Sequence, residues 1–164
     1  MNSRELIDFC LLYEADIRRA VAEKREDMCI PKGGGGGRIS DPTAAKALRN
    51  ISTVGTVIVE YGARVNGKGE LYTLHNAEEW LSVVDSVWKH YGGKKQGRLL
   101  ELRYKQGHYI IDEDFVKNMG YSRSYLFRML KDVFRYAEEL AKGLGILTEP
   151  LPRLEQIMNI LKGE

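Results

Sequence analysis

The chain has 164 residues, 43% of them apolar and 29% charged, and a net charge of +2. This length suffices for one domain or two small ones with a real core, and the near-neutral balance excludes binding of nucleic acid by bulk charge alone. Two cysteines, Cys10 and Cys29, are too few for a disulfide framework or a zinc site, and no run approaches the roughly 20 apolar residues of a membrane span.

The N-terminus carries Arg4, Glu5 and Asp8 and lacks the apolar core of a signal peptide, so a cytoplasmic protein is expected. Residues 3–28 read as one amphipathic helix, because Leu6, Phe9, Cys10, Tyr13, Ile17, Ala20 and Val21 recur at helical spacing. Cys10 falls within that stripe and is expected to pack as a small hydrophobe. Pro31 and the glycines Gly33 to Gly37 then break the helix.

That glycine run is not a phosphate-binding loop. Such a loop follows a strand and ends in Gly-Lys with Ser or Thr, whereas here a helix precedes it and Arg38-Ile39-Ser40 follows. It reads as a flexible linker, or as an arm that carries Lys32 and Arg38 toward DNA or a polymerase. A second helix opens at Ser40-Asp41-Pro42, a capping side chain before proline at the first helical position.

The β-branched stretch Thr56-Val57-Ile58-Val59 and the segment Leu71-Tyr72-Thr73 flank Asn66-Gly67-Lys68-Gly69, the signature of a short β-hairpin. A helix follows from about Ala77 to His90 with Trp80 and Trp88, expected as core anchors rather than a ligand cage, and Gly92-Gly93 ends it. Another runs from about Gly97 to Gln106. Pro150 and Pro152 mark a break before a short amphipathic tail with Leu154, Ile157, Met158 and Leu161.

The stretch Asp112 to Lys131 fits a helix-turn-helix. With Gly120 at the turn, the inward positions are Phe115, Val116, Met119, Tyr121, Leu126 and Met129, all apolar or aromatic. Ser122 is an N-cap for the second helix. The outward positions become Ser122, Arg123, Ser124, Phe127, Arg128 and Lys131, mostly types that meet phosphates and base edges. No acid occurs between Asp114 and Asp132, and from Lys89 to Lys142 the bases outnumber the acids. Two short helices joined by glycine also occur without any DNA, so the basic outward face carries the functional weight.

In the DNA-binding reading the start of the second helix enters the major groove. Arg123 and Arg128 would then contact guanine, Ser122, Ser124 and Tyr125 would take phosphates or base edges, and Lys131 and Lys117 would take phosphates. Phe127 would meet thymine methyls or, as the commoner arrangement, another helix. Catalysis finds no support. His75, His90 and His108 stand in separate segments, Glu78-Glu79 and Glu138-Glu139 diverge on helices, and no serine sits in a nucleophile elbow. Neither a cofactor nor a metal is expected.

Two stretches resemble a known family. Gly34 to Gly37 with Arg38-Ile39-Ser40-Asp41-Pro42-Thr43-Ala44-Ala45-Lys46-Ala47 is similar to the glycine-rich segment and helix start of the RinA/ArpU family of phage late-gene transcriptional regulators. The segment from Leu99-Leu100-Glu101-Leu102-Arg103-Tyr104 through Gly120-Tyr121-Ser122-Arg123-Ser124-Tyr125 to Leu144-Gly145-Ile146-Leu147 resembles that family's ending and the promoter-reading helix-turn-helix of sigma factors. The resemblance implies a phage or prophage protein in a bacterial host, activating late genes together with RNA polymerase. It assigns DNA reading to Ser122, Arg123, Ser124, Tyr125 and Arg128.

The expected molecule is therefore mainly α, with a short β-hairpin insert and a C-terminal helix-turn-helix domain. Its parts are an N-terminal helix (1–30), a Gly-rich linker (31–41), a helix, hairpin and Trp-containing helix (42–93), a sigma-like DNA-binding domain (94–147) and an amphipathic tail (148–164). Double-stranded DNA and RNA polymerase are the expected partners. Homo-oligomerisation would use the N-terminal helix and the tail as pairing surfaces. The rival function is a small terminase-like DNA-packaging subunit, although such proteins usually place the DNA-binding unit first.

Overall fold

The computed structural model describes residues 1–28, 53–62 and 69–147. The Gly-rich linker, the helix expected from Ser40, Cys29, the hairpin turn at 63–68 and the tail lie outside the described residues. What is described is mainly helical, with one two-stranded antiparallel hairpin. No helix among the described residues is long and apolar enough to cross a membrane.

The first expected helix is two. Helix α1 (Ser3–Leu12) starts at a capping box, in which Asn2 Oδ1 accepts from the Glu5 amide while Glu5 accepts from the Asn2 amide, each at 2.9 Å. Helix α2 (Glu14–Met28) follows after a bend at Tyr13, whose φ and ψ are −105° and 20°. The hydrogen-bond ladder nearly survives there, because the Tyr13 amide reaches Phe9 O and Tyr13 O accepts from Ile17, both at 2.9 Å. The bend coincides with a tertiary tie. The buried Tyr13 ring packs on Phe9, and its hydroxyl accepts from the Gly62 amide at 2.7 Å.

Strands β1 (Thr56–Tyr61) and β2 (Glu70–His75) pair from Thr56↔His75 to Tyr61↔Glu70. Alternation sends Val57, Val59 and Leu74 inward, while Ile58 and Leu71 face out. Phe9 meets Tyr72 at 5.0 Å and Tyr61 at 6.1 Å, which seats the hairpin on α1.

Helix α3 (Ala77–Tyr91) buries Trp80, Leu81, Val83, Val84 and Val87. Glu78 and Glu79 in its first turn and Lys89 and His90 in its last suit the helix dipole. Trp80 is a core anchor as expected. Trp88 is only half-buried, and its indole donates to Glu14 at 2.9 Å.

The helix expected at 97–106 begins earlier and changes character. Helix α4 (Lys95–Leu100) runs into a π-helical turn, Glu101–Lys105, closed by the Gln106 amide on Glu101 O at 2.9 Å. Leu99, Leu100, Leu102 and Tyr104 are buried there. Arg103 and the Tyr104 hydroxyl both reach Asp8 on α1, and Arg103 also donates to Tyr109 O.

Helices α5 (Glu113–Met119) and α6 (Arg123–Gly143) complete the order. The buried residues of α6, Leu126, Met129, Leu130, Val133, Ala137 and Ala141, form one stripe that packs on α1, α3 and α4. One continuous hydrophobic cluster includes residues of α1 through α6 and the hairpin. The apolar face of the N-terminal helix, proposed from sequence as a pairing surface, is thus spent inside the chain: Ile7, Phe9, Cys10, Leu11, Ile17 and Val21 are all buried.

Candidate nucleic-acid interface

The turn between α5 and α6 follows the sequence pattern closely. Asp112 caps α5 by accepting from the Phe115 amide at 2.9 Å, and Glu113 and Asp114 fill its first turn. Gly120 ends it at φ +71° and ψ 24°, a left-handed conformation that side chains resist, with its amide on Val116 O at 2.9 Å. Ser122 then caps α6, its hydroxyl oxygen accepting from the Tyr125 amide at 3.4 Å. Of the expected inward residues, Phe115, Met119, Leu126 and Met129 are buried, while Val116 and Tyr121 are half-buried against the same core.

Because the buried stripe claims one side of α6, the other side must face solvent. Ser122, Arg123, Ser124, Phe127, Arg128 and Lys131 are all exposed there. Tyr125 is not fully among them: it is half-buried, its ring tilted against Tyr121 at 5.2 Å. Lys117 is exposed on the preceding helix, α5. Lys117, Arg123, Arg128 and Lys131 form no ion pair with another described residue.

Nor does any acid stand in the first turn of α6, which opens with Arg123. A helix N-terminus disfavours a cation, so the helix dipole does not explain that arginine. The arrangement can donate hydrogen bonds to anionic or acceptor-rich surfaces through two guanidinium forks, two ammonium groups and two hydroxyls.

No family model, curated protein or solved structure matches this chain.

Two further bases border the turn that sequence reasoning left out of the site. Lys95 Nζ lies 5.2 Å from the centre of the Tyr121 ring, and Arg98 donates to Asn118 O at 2.8 Å, at the C-terminal end of α5. Their signal was the basic pair Lys94-Lys95 with Arg98 one helical turn later, read only as regional charge. Lys94, Lys95, Arg98 and Glu101 line an open cleft of about 410 Å³ together with Met119 and Tyr121.

The regional excess of base is not all on this face. Arg103 turns inward to Asp8, Lys105 lies over the Trp88 ring at 4.3 Å, and Arg135 pairs with Asp132 at 3.4 Å. Among the described residues no group of three His, Cys, Asp or Glu side chains is placed to hold a metal. Burial pushes the Cys10 thiol far above its usual range, so it stays a protonated packing group.

Proposed function

We propose that this chain is a sequence-specific DNA-binding transcriptional regulator, with α5 and α6 acting as a helix-turn-helix whose second helix enters the major groove. The observation that carries this reading is the outward face of α6: Arg123, Arg128 and Lys131 are exposed, without ion-pair partners among the described residues, and unaccompanied by any acid from residue 115 to residue 131. A face that served only solvation would ordinarily mix both signs. Arg123 and Arg128 suit bidentate contact with guanine, and Ser122, Ser124, Lys117 and Lys131 suit phosphates. Tyr125, half-buried against Tyr121, supports the helix start.

The resemblance to RinA/ArpU-type regulators adds the wider context. In that context the protein is an activator of phage or prophage late genes, working with the RNA polymerase of a bacterial host. One helix-turn-helix buries little surface, so polymerase or a second copy would hold the complex together.

Selection of bound sequences from a random duplex library at near-physiological salt tests the proposal, with Arg123→Ala/Arg128→Ala as control. A compact enriched motif that the double variant loses is expected. Equal binding of all duplexes, with the protein assembled as a ring, would instead indicate a packaging subunit. No binding of duplex DNA would remove nucleic acid from the reading.

A further inference from the structure

Phe127 is an apolar ring held half in water. It is 49% exposed, although the apolar stripe of α6 is otherwise turned into the core. It stands four residues after Arg123 and four before Lys131, in one row along the exposed side of the helix. The Arg123 guanidinium lies 5.9 Å from the centre of its ring. Ser124 and Arg128 flank the row, and both are exposed.

We propose that Phe127 is a specificity-determining residue, packing on the 5-methyl group of a thymine in the major groove beside the base that Arg123 reads. The inference rests on the DNA-binding reading above and extends it to one base. Charge decides the occupant of this face. A second copy docking the same row would set cations against cations, which is costly. The major groove, by contrast, is flanked by phosphates and presents an apolar group only at thymine.

The spacing narrows the position. Successive bases rise about 3.4 Å along a strand. A ring 5.9 Å from the guanidinium therefore reaches a base pair one or two steps from the guanine that the arginine contacts. The cation–π contact holds the guanidinium beside the ring, so the two side chains face neighbouring base pairs.

The test uses the full chain and the duplex recovered by selection, with each thymine replaced in turn by deoxyuridine, which removes only the methyl. Wild-type protein is expected to lose roughly four-fold in affinity at one position, the worth of one buried methyl. Phe127→Ala is expected to bind thymine and uracil duplexes alike, and Phe127→Leu to keep part of the difference. Because the ring is exposed, both variants retain the core, which a melting curve verifies.

Absence of any uracil-sensitive position, or undiminished sensitivity in Phe127→Ala, would overturn the assignment while leaving the DNA-binding reading intact. A solution dimer that Phe127→Ala dissociates would give the ring to a second copy and also overturn it. If no motif is enriched at all, the assignment falls together with the function it rests on.

Discussion

A Cβ placed on Gly97 would stand 2.2 Å from the carbonyl oxygen of Tyr91. Helix α4 therefore crosses the end of α3 at a distance only glycine permits, and that crossing sets where Lys95 and Arg98 emerge beside the turn. Gly97→Ala forces the two helix ends apart. It is expected to lower stability by roughly 1–3 kcal/mol, as overpacking does. Denaturant unfolding followed by far-ultraviolet circular dichroism reads this, and an unchanged midpoint would mean the crossing is not a fixed contact.

The left-handed turn at Gly120 is a different case, because its Cβ position is open and only the backbone conformation resists a side chain. Gly120→Ala is expected to cost about 1–2 kcal/mol through strain alone, and Gly120→Asn less, since asparagine tolerates that region. Equal destabilisation by both would point to a steric cause that the open space does not provide.

What the sequence made legible was local. Gly120 acts through its own backbone and Ser122 through a side-chain oxygen that reaches an amide three residues on, so the helix ends on either side of the turn could be placed from residue type alone. The stripe Leu126, Met129, Val133 and Ala137 repeats at helical spacing and so announces its buried side, and with it the exposed one. Tyr13 was different: its tie to Gly62, 49 residues away, accompanies a bend in a helix that reads as continuous. The π-helical turn was equally hidden, because Glu101-Leu102-Arg103-Tyr104-Lys105 suits an ordinary helix and its inward contacts are to Asp8 on α1. Lys95 and Arg98 escaped for the same reason, since only the crossing at Gly97 brings α4 to the turn.

The contact of Tyr104 with Asp8 has a pH signature. Burial first, and then the Asp8 carboxylate, push the Tyr104 phenol far above its usual range. An unfolded tyrosine ionises near pH 10, so above that pH the folded chain holds a proton that the unfolded chain has released. Stability is therefore fully present below about pH 10 and falls as pH rises beyond it. Tyr104→Phe is expected to be less stable than wild type at neutral pH, having lost its hydrogen bond, yet to decline less between about pH 9 and 11. Cys10 acts in the same direction through its buried thiol, so the comparison is made on a Cys10→Ala background. Parallel profiles for the two proteins would assign the alkaline loss to other groups.

Lys117 and Lys131 are exposed cations without ion-pair partners among the described residues, on successive helices that flank the turn. If both meet phosphates, each releases about one counterion on binding, and the slope of log affinity against log salt carries roughly 0.9 per contact. Lys117→Ala and Lys131→Ala are each expected to lower that slope by about 0.9 while leaving the preferred sequence unchanged. Arg128→Ala is expected to do the converse, relaxing selectivity at one base pair at a cost of about 1–3 kcal/mol. Titrations of one specific duplex and one scrambled duplex at several salt concentrations separate the two kinds of contact. A lysine variant that alters sequence preference, or an Arg128 variant that alters only the slope, would reverse the roles given to those residues.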